Sequence, residues 1–131
     1  MKDSDKRKPV VMVVDDSPAA LTVISKILSR YFEVEKASSG REAIDKATEL
    51  KPDVMLLDAT MQCVDGWEVC RRLKKDPSTS NVKIIMHTGY SERKKEEKAF
   101  SVGADHYVNK SVKPEELIEK IQSIIDEKEK D

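Results

Sequence analysis

Five positions carry side chains able to act together on one reacting group: the adjacent pair Asp15 and Asp16, then Asp58, Thr88 and Lys110. Each follows directly on a mainly apolar run. Val10–Val14 precedes the acidic pair, residues 54–57 precede Asp58, residues 82–87 precede Thr88, and His106–Asn109 precedes Lys110. Three carboxylates brought together repel, and they need protons, a cation or both. A set of oxygen donors without His or Cys suits a hard divalent ion, with Mg²⁺ the default choice. An Asp carboxylate can act as a nucleophile toward phosphorus and form an aspartyl phosphate. Phosphoryl transfer asks for positioning and for charge neutralisation at the equatorial oxygens. A metal, an ammonium and a hydroxyl supply both. Singly, each residue has a plainer reading. Asp15 and Asp16 could serve a helix start, Asp58 a turn, Thr88 a local backbone bond, and Lys110 a solvated surface. The joint pattern carries the weight.

These residues converge only if the apolar runs lie side by side. Continuous apolar runs too short for helices read as strands buried on both faces. Between them lie stretches of helical period. Ser17-Pro18 reads as N-cap and first helical residue, with Leu21, Ile24 and Leu28 on one face and an end near Arg30. Residues 33–36 are a more polar strand, expected at an edge. Ser39 to Glu42 has capping-box spacing and opens a helix with Ala43, Ala47 and Leu50 inward. Trp67, Cys70 and Leu73 mark a short helix after the Asp65-Gly66 turn. Residues 91–102 form a charged helix with only Ala99, Phe100 and Val102 apolar. A last helix starts at Pro114 and faces inward with Leu117, Ile118, Ile121, Ile124 and Ile125. Five strands alternating with five helices predict an α/β fold. It has one five-stranded parallel, doubly wound sheet of the flavodoxin-like kind, with function at the carboxyl ends of its strands. The domain is expected over residues 9–125, between charged tails at 1–8 and 126–131 that should fray.

Composition narrows the classes. The chain has 131 residues, 38% of them hydrophobic and 37% charged, with a formal net charge of −1. That near-neutral balance disfavours direct nucleic-acid binding. No run approaches the ~20 apolar residues of a membrane helix. The charged N-terminus has no apolar stretch of a secretory signal behind it, so a cytoplasmic location is expected. Cys63 and Cys70 lack metal-site spacing and read as ordinary reduced thiols. His87 neighbours Thr88, so on a strand it should point to the opposite face; it and His106 read as packing or surface residues.

The sequence resembles the receiver domain of two-component response regulators, in the manner of the single-domain chemotaxis regulators. The resemblance rests on Val10 to Ser17, Pro52 to Asp58, Asp65 to Glu68 and Gly103 to Lys110, and spans nearly the whole chain. It implies a signalling switch that catalyses only its own phosphorylation and dephosphorylation. Asp58 would accept a phosphoryl group from a sensor histidine kinase or histidine phosphotransfer protein. Asp16 would bind Mg²⁺ directly, Asp15 through water, and Thr60 through its backbone carbonyl. Thr88 and Lys110 would hold phosphoryl oxygens. Tyr107 matches the switch aromatic that turns inward with Thr88, changing affinity for a downstream protein target. Thr60 and Tyr90 would tune dephosphorylation.

Two positions depart from the family pattern. Gln62 and Ser111 stand where proline is common. A cis bond before a non-proline residue costs about 2.5–4 kcal/mol, so a trans Lys110–Ser111 bond is expected. These departures keep a phosphorylation-independent scaffold as the alternative. A phosphatase with an Asp nucleophile would need spaced acids and a cap. A flavin carrier would need a Ser/Thr/Gly-rich loop after the first strand, where two acids stand instead.

Overall fold

The computed structural model describes residues 8–59, 61, 64–89 and 93–130. Its elements alternate along the chain: β1 (Val10–Val14), α1 (Pro18–Leu28), β2 (Glu33–Ala37), α2 (Gly40–Leu50) and β3 (Val54–Asp58). They continue as α3 (Gly66–Lys75), β4 (Lys83–Thr88), α4 (Arg93–Ser101), β5 (His106–Asn109) and α5 (Pro114–Lys130). The strands form one sheet in the order β2-β1-β3-β4-β5, and every pair is parallel.

Composition explains the order. In β3 every residue is buried, and β1 and β4 are buried except for their first residues, as central parallel strands must be. Only Ala37 is buried in β2, whose Glu33 and Glu35 are tolerable because it lies at an edge. Alternation along each strand then splits the apolar residues into two cores. Met12, Met55, Leu57, Ile84 and Met86 face α2, α3 and α4, where Ala43, Ala47, Trp67, Cys70 and Ala99 meet them. Val11, Val13, Leu56 and Ile85 face α1 and α5, where Leu28, Leu117, Ile121, Ile124 and Ile125 complete the second core.

Side chains cap the helices that begin at the strand ends. Ser17 Oγ accepts from Ala20 N at 3.3 Å, and Asp65 Oδ1 from Glu68 N at 2.9 Å. Ser39 Oγ accepts from Glu42 N at 3.1 Å, while Glu42 Oε1 reaches back to Ser38 N at 2.8 Å. The capping box is therefore closed one residue upstream of the expected Ser39 N–H.

Two expectations are corrected. Leu50 is 43% exposed rather than inward. It sits in the last turn of α2, just before left-handed Lys51 (φ 50°), beside Pro9, Glu33 and Asp53 at the rim where the strands begin. Of α5, Glu129 lines this rim, and it leaves Leu50 largely open. Residues 126–130, expected as a tail, continue α5. Gln122 Nε2 donates to Asp126 Oδ1 at 3.0 Å, and Lys128 Nζ donates to the Asp53 carbonyl at 3.1 Å, tying the helix end to the start of β3.

Candidate functional site

The sheet order brings the predicted residues together. β1 and β3 are neighbours with Val14 opposite Leu57, so Asp15 and Asp58 follow side by side. Asp58 lies opposite His87, and Thr88 opposite Asn109, which sets Thr88 and Lys110 on the same edge. The chain reverses its winding between β1 and β3, at the switch point where such sheets bind ligands.

Asp15 and Asp58 are buried and Asp16 is exposed, and one carboxylate oxygen from each lies within 4.8 Å of the others. Asp15 is held by both its oxygens: Oδ1 accepts from Ser17 N at 2.9 Å, and Oδ2 from Lys110 Nζ at 2.8 Å. The same ammonium stands 3.6 Å from Asp58 Oδ1. Burial works to lower the pKa of Lys110, but its hydrogen bond to Asp15 and the charges of Asp58 and Asp15 outweigh it and leave the pKa raised. Lys110 N also donates to the Thr88 carbonyl at 2.7 Å, which locks the end of β5 to the end of β4. The Thr88 hydroxyl is fully buried and has no hydrogen-bond partner among the described residues. A buried hydroxyl left in that state is held ready for an acceptor.

Gly66 was not singled out for this site by sequence reasoning. A Cβ there would stand 2.1 Å from the Asp58 carbonyl oxygen and 2.7 Å from Ala59 Cα. Gly66 N donates to Ala59 O at 2.9 Å. The start of α3 is thus pressed onto the chain leaving β3, and only a glycine permits that approach. The Asp-Gly turn signal was present, but it did not reveal what the glycine touches.

Tyr107 is half-buried against the Met12 core, opposite Met86 on the face of the sheet that Thr88 shares. His87 lies on the other face, with Ile85, as its parity requires. Burial is the main cause that pushes its pKa down, to about 4. His106 opens β5, at the far end of the strand from the acids. The Lys110–Ser111 bond is trans, since no cis peptide occurs among the described residues. Cys70 is a free, buried thiol whose pKa burial pushes up to about 12, which leaves it inert. Thr60, Gln62, Cys63 and Tyr90 lie outside the described residues.

The donor set fits Mg²⁺. All ligand atoms are oxygens, and three carboxylates against one ammonium would leave two negative charges for a divalent ion to balance. Asp16 gives the cluster its open side.

An acidic cluster, a buried hydroxyl and a lysine at the switch point of a 2-1-3-4-5 sheet define a phospho-accepting signalling module. The sequence profile of the response regulator receiver domain matches residues 11–122, and the chain belongs to that family. It is 30% identical over 118 residues to the DNA-binding dual master transcriptional regulator RpaA of Synechocystis, covering 89% of this chain and 49% of RpaA. It spans about half the length, or less, of the curated relatives it matches. Among solved structures it resembles a CheY-like receiver protein of Methanospirillum hungatei, with TM-score 0.86, 31% identity, and 94% of this chain and 98% of that one covered. The chemotaxis protein CheY4 of Vibrio cholerae gives TM-score 0.83 at 30% identity, covering 89% and 98% of the two chains. The fold is that of these regulators, and receiver domains work between histidine kinases and downstream effectors. Among the described residues, no helix is long and apolar enough to cross a membrane.

Proposed function

We propose that Asp58 is the phosphoacceptor, and that the chain takes its phosphoryl group from a phosphohistidine on a sensor kinase or phosphotransfer protein. The observation that carries this is the Lys110 ammonium standing between Asp15 and Asp58 at the end of β3. An Asp58 carboxylate oxygen attacks phosphorus, and the P–N bond breaks with its electron pair returning to the donor imidazole. Lys110 is placed to neutralise charge on the transferring group, and the orphaned Thr88 hydroxyl to donate to one of its oxygens. Asp16 and Asp58, with Asp15 acting through water and the Thr60 backbone carbonyl, would hold Mg²⁺. When bound, the metal supplies the remaining charge neutralisation.

The switch follows from the same residues. Drawing Thr88 toward the phosphoryl group vacates space beside Tyr107 on the same face of the sheet. The surface of α4, β5 and α5 then changes its affinity for a downstream protein. The chain catalyses only its own phosphorylation and dephosphorylation, and residues 9–125 form the switching unit. The near-neutral charge supports a protein target rather than nucleic acid or membrane, in the cytoplasm.

Intact mass after incubation with acetyl phosphate tests this reading, alongside a phosphohistidine protein as second donor. The expected result is a Mg²⁺-dependent, hydroxylamine-labile gain of one phosphoryl group that Asp58→Asn abolishes. A gain that persists in Asp58→Asn, or none from either donor, overturns it.

A further inference from the structure

Ser111 gives the turn after β5 an amide N–H that a proline there would lack, and it leaves free the backbone angle that a proline ring would fix. Asn109, the last residue of β5, answers both. Its side-chain Oδ1 accepts from Ser111 N at 2.7 Å, and its backbone carbonyl accepts from Val112 N at 3.0 Å. A side-chain carbonyl bonded to the backbone two residues on is an Asx-turn, and the second bond closes a four-residue turn around it. Ser111 is exposed, so water could have served its N–H; the Asn109 bond instead selects one conformation of the turn. Lys110 is the residue that these two bonds enclose. Its own N–H goes to the Thr88 carbonyl at 2.7 Å, so the backbone on both sides of it is tethered. From that base its ammonium reaches Asp15 Oδ2 at 2.8 Å and stands 3.6 Å from Asp58 Oδ1.

We propose that Asn109 is a positioning residue for phosphoryl transfer: its side chain holds the Lys110–Ser111 turn so that the Lys110 ammonium faces Asp58. This rests on the reading of Asp58 as phosphoacceptor. A lysine is a point charge on a flexible four-carbon stem, so where its ammonium can stand depends on how firmly its Cα is held. Phosphoryl transfer asks mainly for positioning and charge placement, and a misplacement of about 1 Å can cost about 100-fold in rate. Asn109 Oδ1 is taken up by Ser111 N, so its effect on the transferring group passes through the Lys110 backbone. The bond from Lys110 N to Thr88 does not involve the Asn109 side chain and survives its loss, so the expected effect is smaller, about tenfold.

The test compares the natural chain with Asn109→Ala and Asn109→Ser. One measurement is the rate of labelling by acetyl phosphate at saturating Mg²⁺ over a range of donor concentrations. The other is amide hydrogen exchange at Ser111 with neither donor nor metal present. In Asn109→Ala the Ser111 amide should exchange about tenfold faster, and the maximal labelling rate should fall about tenfold while the half-saturating donor concentration stays put. A serine hydroxyl accepts the same bond more weakly, so Asn109→Ser should lose only about threefold in both measurements. That variant keeps the test decisive if Asn109→Ala does not fold. Unchanged Ser111 exchange in the variants overturns the proposal. So does faster exchange with an unchanged labelling rate, a rate loss carried by the half-saturating concentration alone, or a loss in Asn109→Ser as deep as in Asn109→Ala. A natural chain that takes no label from acetyl phosphate or from a phosphohistidine protein fails the phosphoacceptor reading itself, and this inference falls with it. A labelled natural chain with indifferent variants overturns this inference alone.

Discussion

Lys110 Nζ is 2.8 Å from Asp15 Oδ2 and 3.6 Å from Asp58 Oδ1. The lysine thus bonds Asp15 more closely than it bonds Asp58, the proposed phosphoacceptor. Asp15 is in turn fixed by Ser17 N, so the ammonium is anchored on a residue that cannot follow it. In the unphosphorylated state the lysine serves as the counter-ion of the acid cluster. A phosphoryl group on Asp58 would compete with Asp15 for it.

Replacing Lys110 should therefore show in stability before it shows in switching. Lys110→Ala leaves three close carboxylates without their ammonium, and breaking a buried pair costs about 3–5 kcal/mol. The Lys110 side chain is 30% exposed, which lowers the expectation to about 1–3 kcal/mol at pH 7. Mg²⁺ should restore most of it, because no ammonium then competes for the site. Thermal unfolding with Mg²⁺ and with a chelator reads this directly. A smaller Mg²⁺ increment in Tm for the variant than for the natural chain would contradict it.

Thr88→Val should separate stability from signalling. The substitution keeps the shape and removes a fully buried hydroxyl that has no partner among the described residues. The unphosphorylated fold should be unchanged or gain about 1 kcal/mol in urea unfolding. The phosphorylated form should lose the hydrogen bond that drives the switch, so Asp58 is still labelled while the Tyr107 ring resonances no longer respond. A clear destabilisation of the unphosphorylated chain would show that the hydroxyl already serves the fold.

Gly66→Ala tests how tightly α3 is set against Asp58 and Ala59. The added Cβ meets backbone atoms at 2.1 and 2.7 Å, and backbone cannot rotate away as a side chain can. The loss should be about 3 kcal/mol or more, above ordinary overpacking. It should also displace Asp58 and slow its phosphorylation. By contrast, Gly89→Ala has open space around it and should change stability by no more than about 0.5 kcal/mol. Equal denaturation midpoints for the two variants would refute the close approach.

The parts of this molecule that were readable in its sequence are those fixed by one-dimensional pattern. Apolar runs at Val10–Val14 and Val54–Asp58 announce central parallel strands, and the polar content of β2 announces an edge. Chemistry-bearing residues at the ends of those runs then had to share one edge of the sheet. What could not be read depends on contacts between distant segments. Leu50 had the right spacing for the core, but it lies at the rim where the strands begin and is 43% exposed there. Residues 126–130 looked like a solvated tail until Lys128 was seen to reach Asp53, 75 positions earlier in the chain. Gly66 carried a turn signal, yet the atom it approaches belongs to β3. The parity of β4 placed His87 correctly away from Thr88, but it could not show that the side chain lines a cleft with Ile24 and Leu117.

That imidazole should give the fold an acid-sensitive stability. In the folded chain burial lowers the His87 pKa from 6.5 to about 4, ahead of the opposed effects of Lys110 and Asp15. Between those values the unfolded chain binds a proton that the folded chain refuses, so stability rises with pH across that window. The contribution is complete above pH 6.5 and is lost as pH falls toward 4. At 1.36 kcal/mol per pH unit its full size is about 3 kcal/mol. His106, whose pKa burial also lowers, adds a smaller slope of the same sign. His87→Phe should therefore lose less stability than the natural chain when urea unfolding is repeated at pH 7 and pH 5. Carboxylates titrating below pH 5 affect both chains alike, so the difference between them isolates the histidine. Parallel loss in the two would mean that the imidazole is protonated in the folded state and is not buried as the structure shows.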